Sequence, residues 1–304
     1  MDPSYLKLYE SGGLVRCAGE LYERLRGCTL CPHRCGVNRL EDGRGRCKSG
    51  MRPVVSSFSP HFGEEAPLVG TNGSGTIFFT NCNLSCIFCQ NYDISHLGRG
   101  EEISFEELAG IMLHLQERGC HNINCVTPTH MNYAIVRALL LAIPRGLTVP
   151  LVYNSGGYDS VEIIRILEGV YDIFMPDFKY MDPDAAGRLS GAPDYPERAI
   201  SAISEMHRQV GDLVVDKKGI AQHGILVRHL VLPNNAAATD RVINFIAELS
   251  THTYINIMEQ FRPEYRAREC FDLRRRITLQ EYDEAVNYAL SRGLTRIDNL
   301  RIKK

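Results

Sequence analysis

Cys82, Cys86 and Cys89 stand in the run Thr80-Asn81-Cys82-Asn83-Leu84-Ser85-Cys86-Ile87-Phe88-Cys89-Gln90-Asn91, a C-x3-C-x2-C spacing directly behind the strand-like stretch Gly75-Thr76-Ile77-Phe78-Phe79. Thiolates are the ligands that hold iron-sulfur clusters, and a loop this short delivers three of them to three irons of one cubane. No fourth cysteine follows nearby. A cluster that only carries electrons is usually closed by four cysteines, so three leave one iron open to something other than protein. Buried cysteine is a common packing residue, but packing is a poor account of three in the eight positions 82–89 of a polar, Asn-rich loop.

A second group precedes it. Cys28, Cys31, Cys35 and Cys47 are spaced C-x2-C-x3-C-x11-C, with His33 able to replace one cysteine. Two short knuckles of this kind suit a tetrahedral site, and four thiolates satisfy either zinc or an auxiliary iron-sulfur cluster. The stretch 27–50 is rich in Cys, Gly and Arg and poor in large aliphatics, so it cannot bury a core of its own without a staple. Cys17 falls with Leu14, Leu21 and Leu25 on one face of a helix expected over 13–26, and Cys120, Cys125 and Cys270 read as packing thiols.

The elements that must position these groups alternate along the rest of the chain. Strands are expected at 75–80, 122–126, 149–154, 171–179, 224–232 and 254–258, with helices between them and after the last. Ser104 and Glu107 make a capping box that opens one of the helices. Mostly apolar strands alternating with helices imply a parallel α/β sheet, and polar residues collect at the strand ends: Asn81, Thr127 to His130, Asn154, Asp177 with Lys179, Asn234, Gln260. A barrel carries its active site at such ends, so the expected architecture is a partial (β/α)6 TIM-like barrel, residues 73–304, behind a small N-terminal helix and Cys-rich metal module with a Pro- and Gly-dotted connector, residues 1–72.

A chain of 304 residues with 44% hydrophobic content affords a sizeable core, and α/β barrels run this long as one domain. Net charge is −2, from 34 basic and 36 acidic residues, which gives no global electrostatic reason to expect nucleic acid or an anionic membrane. Arg262, Arg266, Arg268, Arg274, Arg275 and Arg276 crowd together, a pattern read as a salt-bridged, solvated face in preference to a phosphate site. The N-terminus lacks the basic then apolar order of a secretory signal, and no apolar stretch reaches membrane-spanning length. Eleven cysteines then favour a reducing, cytoplasmic setting with metal or redox chemistry over disulfides.

The cysteine loop resembles the signature of the radical S-adenosylmethionine (radical SAM) enzymes, with Phe88 where that family carries an aromatic residue beside the adenine. The resemblance covers about residues 73–260. It implies a partial six-unit barrel in which Cys82, Cys86 and Cys89 hold a 4Fe-4S cluster whose fourth iron chelates S-adenosylmethionine. One electron then splits the sulfonium, and the 5'-deoxyadenosyl radical abstracts hydrogen from a substrate, hard chemistry that the cofactor carries while the protein orients and shields it.

Within that family, Asp177 and Lys179 match the D-x-K motif of glycyl-radical-enzyme activating enzymes, of which pyruvate formate-lyase activating enzyme is one, where the pair contacts the methionine part of the cofactor or its ion partner. Asn154 is similar to the polar strand end that contacts ribose and carboxylate there. Arg228 resembles the inward-facing arginine of the fifth strand; a period of two allows only one of Arg228 and His229 to face inward. The second strand departs from the pattern: Gly-Gly-Glu is replaced by Val126-Thr127-Pro128-Thr129-His130. The Thr127 and Thr129 hydroxyls accept hydrogen bonds from an ammonium, without a carboxylate's charge. His130 reads as the start of the next helix, with a proton donor as the rival reading. The resemblance implies an oxidoreductase acting on a glycyl-radical enzyme, fed by a donor such as flavodoxin or ferredoxin. The same cofactor residues serve equally a radical modification of a small molecule, peptide or tRNA, and a non-catalytic iron-sulfur protein is the reading from a different class.

Overall fold

The structure, a computed structural model, describes residues 2–298. Nine strands form one sheet system: β1 (Val54–His61), β2 (Ser74–Phe79), β3 (Glu101–Glu102), β4 (Ile123–Val126), β5 (Leu151–Ser155), β6 (Ile173–Pro176), β7 (Val214–Val215), β8 (Ala221–Leu230) and β9 (Tyr254–Met258). The sequential pairs β2–β4, β4–β5, β5–β6, β6–β8 and β8–β9 are all parallel. β2, β4, β5 and β6 are buried almost throughout, as apolar runs such as Leu151–Ser155 and Ile173–Pro176 require of a sheet covered by helices, while β9 alternates buried and half-buried residues. Among the described strands β9 pairs with β8 and does not return to β2, so the six parallel strands form an open barrel.

Strand alternation sorts the barrel's contents. Tyr153, Phe174, Ile225 and Val227 face outward into the main core under the helices. Val152, Ile173, Met175 and Leu226 face the other way and form a separate apolar cluster with Leu68, Leu213 and Ala221. Continuing at a period of two along each strand, Asn154, Asp177 and Arg228 follow on that inner face. The lower barrel interior is therefore apolar and the upper layer polar.

The helix Gly13–Arg26 buries Leu14, Cys17, Leu21 and Leu25, as its spacing predicts. The helix Phe105–Glu117 opens with the expected capping box of Ser104 and Glu107. The stretch 51–72 is more than a connector: β1 pairs antiparallel with β2, Phe58 opposite Ile77, and the short helix Ala66–Val69 then sends Leu68 into the inner cluster. Ser56, Ser57, Ser59 and Pro60 mask this strand in the sequence, and proline is at home on such an outlying strand. The strand expected over 171–179 is shorter, because it ends at Pro176 and leaves Asp177 with a single parallel bridge to Arg228. Among the described residues no helix is long and apolar enough to cross a membrane.

Candidate active site at the barrel mouth

Where β2 ends, Asn81 takes a left-handed φ of 70° and turns the chain off the sheet. The cysteine loop that follows is pinned by its backbone: Ser85 N–H donates to the Ser190 carbonyl at 3.0 Å and Ile87 N–H to that of Leu189 at 2.9 Å. The Asn83 side-chain amide donates to the Tyr158 carbonyl at 2.6 Å. These bonds present Cys82, Cys86 and Cys89 to one cavity of about 220 Å³, whose opposite wall is made by Thr127, Asn154, Asp177, Lys179 and Arg228 from the ends of the parallel strands. Ser190 donates its hydroxyl to Cys86 Sγ at 2.9 Å, and Ser95 Oγ lies 3.1 Å from Cys89 Sγ. Burial pushes the Cys82 and Cys86 thiols up, while Lys179 partly opposes it at Cys86.

The opposite wall is a charged network. Lys179 Nζ donates to Asp177 Oδ2 at 2.6 Å, and Arg228 Nε donates to Asp177 Oδ1 at 2.8 Å. Arg228 also donates to Asn154 Oδ1 at 2.7 Å and pairs with Glu64 at 3.5 Å. Burial alone would raise the Asp177 carboxyl, but Arg228 and Lys179 hold it below its ordinary value. Burial would likewise lower Lys179, and Asp177 outweighs it and holds the ammonium above its usual range. Glu64 is pushed up to about 7 by burial, against the pull of Arg228.

The Tyr195 hydroxyl accepts from Lys179 N–H at 2.9 Å and faces the carbonyls of Gly156 and Asp177 at 2.9 and 2.8 Å. Gly157, at φ 78°, lets β5 turn away against this knot, since a Cβ there would stand 2.1 Å from the Asp177 carbonyl oxygen.

Residues 76–217 match the family model of the radical SAM superfamily. The chain belongs to the radical SAM superfamily. An uncharacterized protein of Methanocaldococcus jannaschii is 33% identical over 274 residues, which cover 87% of this chain and 74% of that protein. A solved structure described as native anSMEcpe with bound AdoMet and Cp18Cys peptide shares 10% identity at a TM-score of 0.48, over 72% of this chain; the chain spans 60% of that one. Radical SAM membership implies a 4Fe-4S cluster and S-adenosylmethionine. The residues fit that pair: three soft thiol donors share one cavity with carboxylate, ammonium, guanidinium and amide groups able to meet a zwitterionic ligand. Among the described residues no three His, Cys, Asp or Glu side chains are grouped so as to hold a metal ion.

Of the residues singled out in the sequence, Phe88, Thr127, Asn154, Asp177, Lys179 and Arg228 line this cavity beside the three cysteines. Phe88 is fixed edge-on against Phe261 at 5.9 Å and Tyr180 at 6.3 Å. Thr127 has φ 60°, a genuine outlier for a β-branched residue and a mark of local strain.

Thr129 stands apart from the cavity. Its buried hydroxyl donates to Asp159 at 2.6 Å, and Asp159 also accepts from Tyr153 and Ser155 at 2.7 Å each, so Thr129 braces the end of β5. His130 is buried just ahead of the helix Asn132–Ala142, with Nε2 2.9 Å from the Thr80 carbonyl, as the start-of-helix reading expects. Arg228 faces inward and His229 outward, where it meets the Phe178 carbonyl and the Thr239 hydroxyl. The arginine-rich face is in part salt-bridged, Arg266 to Glu269 and Arg275 to Glu281 at 2.7 Å each. Sequence reasoning missed Glu64, Ser190, Ser95 and Asp159; Glu64 and Glu65 in an otherwise plain connector are the one visible signal.

Proposed function

We propose that this radical SAM protein is an oxidoreductase that holds a 4Fe-4S cluster on Cys82, Cys86 and Cys89 and activates a glycyl-radical enzyme by taking hydrogen from a backbone glycine. The observation that carries the reading is the meeting of three thiols with Asn154, Asp177, Lys179 and Arg228 around one cavity at the strand ends. When bound, the cluster and S-adenosylmethionine supply reductive cleavage of a sulfonium and a carbon radical for hydrogen abstraction.

The chain's own residues bind and orient. Lys179 and Arg228 offer cationic donors to a carboxylate, Asp177 stays ionised between them, and Asn154 and Thr127 offer polar atoms to an ammonium or ribose. Phe88 presents an aromatic face locked by Phe261 and Tyr180. Ser190 donates to the Cys86 sulfur, a neighbour that tunes a ligating thiolate.

The partner with the D-x-K match is a glycyl-radical enzyme, and the electron source is an acidic redox protein such as flavodoxin or ferredoxin. A groove of about 700 Å³ lined by Arg262, Arg268, Arg274, Arg275 and Arg276 supports the second partner. A metal at Cys28, Cys31, Cys35 and Cys47 and a cytoplasmic setting complete the reading; the eleven cysteines are all free thiols.

Anaerobic reconstitution tests it. The reduced, iron-loaded protein should release 5'-deoxyadenosine from S-adenosylmethionine, and Cys86→Ala should lose both cluster and cleavage. A partner carrying deuterated glycine should pass its label to the deoxyadenosine. Cleavage with label arriving only from a small molecule, another peptide or a tRNA replaces the substrate assignment; no cleavage with a full 4Fe-4S cluster ends the enzymatic one.

A further inference from the structure

Four cysteines outside the cavity take no part in the chemistry just proposed, and the fold gathers them. Cys28 N–H donates to the Val37 carbonyl at 2.8 Å and Gly36 N–H to the Cys28 carbonyl at 3.1 Å, which folds the chain back on itself between them. Arg34 N–H donates to the Cys31 carbonyl at 3.0 Å, so the first three cysteines lie in one tight turn. Cys47 arrives from a second turn, closed by Lys48 N–H on the Gly45 carbonyl at 2.9 Å. The two turns touch through sulfur: Arg46 N–H donates to Cys35 Sγ at 3.4 Å, and a Cβ on Gly45 would stand 2.7 Å from the same atom. Peptide N–H groups aimed at sulfur stabilise its thiolate form.

Left-handed backbone at Arg34, Gly36 and Lys48, φ 42°, 68° and 56°, produces both turns. Two of these are non-glycine residues, a strain that persists only where surroundings over-determine it. Cys28, Cys31 and Cys47 are buried and Cys35 half-buried, none of them in a disulfide. The apolar content of the segment is too small to explain this order: Leu30 is its fully buried aliphatic residue, and Arg39 is buried on the carbonyls of Gly50 and His130.

The same segment grips the cluster loop. His33 Nε2 lies 2.7 Å from the Asn83 carbonyl, Arg46 donates to Ser85 Oγ at 3.4 Å, and Asn81 donates to Ser49 Oγ at 3.1 Å. Residues from both turns thus touch the positions between Asn81 and Ser85, the backbone that carries Cys82 and leads to Cys86.

We propose that Cys28, Cys31, Cys35 and Cys47 hold a second, thiophilic metal centre, and that this centre fixes the N-terminal segment as a clamp on the radical loop. Binding costs the four thiols their protons and makes their sulfurs converge on one point, a closure that the two turns, joined by Arg46 N–H on Cys35 Sγ, must complete, since among the described residues no three such side chains are already grouped for a metal. The metal takes over the role of the missing apolar core, which gives the strained turns their reason. The metal site stands independently of the radical chemistry; the clamping role rests on the reading of Cys82, Cys86 and Cys89.

The full chain carrying Cys82→Ala, Cys86→Ala and Cys89→Ala separates the two. Purified without oxygen, it should retain either about one zinc or about four irons with matching sulfide per chain, and further replacement of Cys31 and Cys47 by alanine should remove them. Zinc without colour and iron with thiolate-to-iron absorption distinguish the two sources. No stoichiometric metal in the triple variant, as isolated and after loading with zinc or with iron and sulfide, would overturn the site while leaving the cavity's function intact. For the clamp, Cys31→Ser with the radical loop unaltered should speed amide exchange at residues 81–87 by about tenfold while the barrel strands stay protected. Metal loss with unchanged exchange there would overturn the clamp.

Discussion

Lys179 Nζ lies 2.6 Å from Asp177 Oδ2, two residues away on the same face of a strand end, with Phe178 between them buried in the opposite direction. The carboxylate is shared, since Arg228 takes its other oxygen at 2.8 Å. Two cations therefore depend on one anion in a mostly buried wall. Asp177→Asn keeps the shape and deletes the charge, leaving Lys179 without its partner and Arg228 with Glu64 at 3.5 Å. Removing one member of a buried pair costs about 3–5 kcal/mol, and the remaining Glu64 contact sets the expectation near about 3. Urea denaturation of the metal-free chain should show that loss, and equilibrium dialysis should show S-adenosylmethionine binding weakened by at least about tenfold. Unchanged stability and binding would remove Asp177 from the cofactor wall.

Gly157 and its neighbour Gly156 make a matched pair of tests. At Gly157 an added Cβ meets the Asp177 carbonyl oxygen at 2.1 Å and the Tyr195 hydroxyl at 2.7 Å, in a left-handed backbone. At Gly156 it meets Leu84 Cδ1 at 3.1 Å, the end of a side chain that can turn aside. Gly157→Ala should therefore cost several times more than Gly156→Ala, about 3 kcal/mol against about 1 or less, read from thermal unfolding under one set of conditions. Equal effects would show that the turn yields more easily than its contacts indicate.

How much of this was legible beforehand follows from what each signal depends on. Strand positions, and the rule that only one of Arg228 and His229 faces inward, come from local periodicity, which the sequence carries openly; the choice of Arg228 comes from the family resemblance. Thr129 looked equivalent to Thr127 because two hydroxyls flanking a proline are indistinguishable until the chain turns. The left-handed φ of Thr127 then directs one to the cavity and the other to Asp159. Glu64 was invisible for a different reason. Its contact with Arg228 spans more than half the chain and depends on β1 and the Ala66–Val69 helix folding into the barrel, which no local pattern announces.

Two buried imidazoles contribute to the acid limb of stability. Burial lowers His130 and His229 to about 4 each, below the ordinary value of 6.5, so both rings are neutral in the folded chain near neutral pH. His229 uses both nitrogens, one toward the Phe178 carbonyl at 2.7 Å and one toward the Thr239 hydroxyl at 2.9 Å, and a charged ring would turn the second contact from acceptance to donation. Between pH 6.5 and about 4 the unfolded chain takes up protons that the folded one refuses. The contribution of the two rings should fall as pH drops through that window, by up to about 1.4 kcal/mol per pH unit for each ring, and be flat above it, while Glu64, raised to about 7, acts in the opposite sense. His229→Gln should flatten the slope; an unaltered slope would mean that His229 titrates normally.

The arginine groove carries the prediction for the proposed electron donor. Arg262, Arg268, Arg274, Arg275 and Arg276 line it with Tyr92, Tyr265 and one carboxylate, Glu264, and it shares no lining residue with the cavity at the cysteine loop. It backs onto the loop itself: His96 stacks on Tyr265 at 4.6 Å and its Nε2 lies 3.0 Å from the Cys86 carbonyl, while Arg266 N–H donates to the Ile87 carbonyl at 2.8 Å. Five arginines against Glu264 leave the groove net positive, and such a cleft raises the encounter rate of an acidic partner, a gain that salt screens. Arg268→Glu with Arg276→Glu should therefore raise the KM for an acidic donor such as flavodoxin by about tenfold and erase its salt dependence. Turnover driven by a chemical reductant should stay as it was, because neither residue reaches the cavity. Equal losses with protein and chemical reductants would show that the substitutions damage the cluster loop, and no loss with either would place donor docking elsewhere.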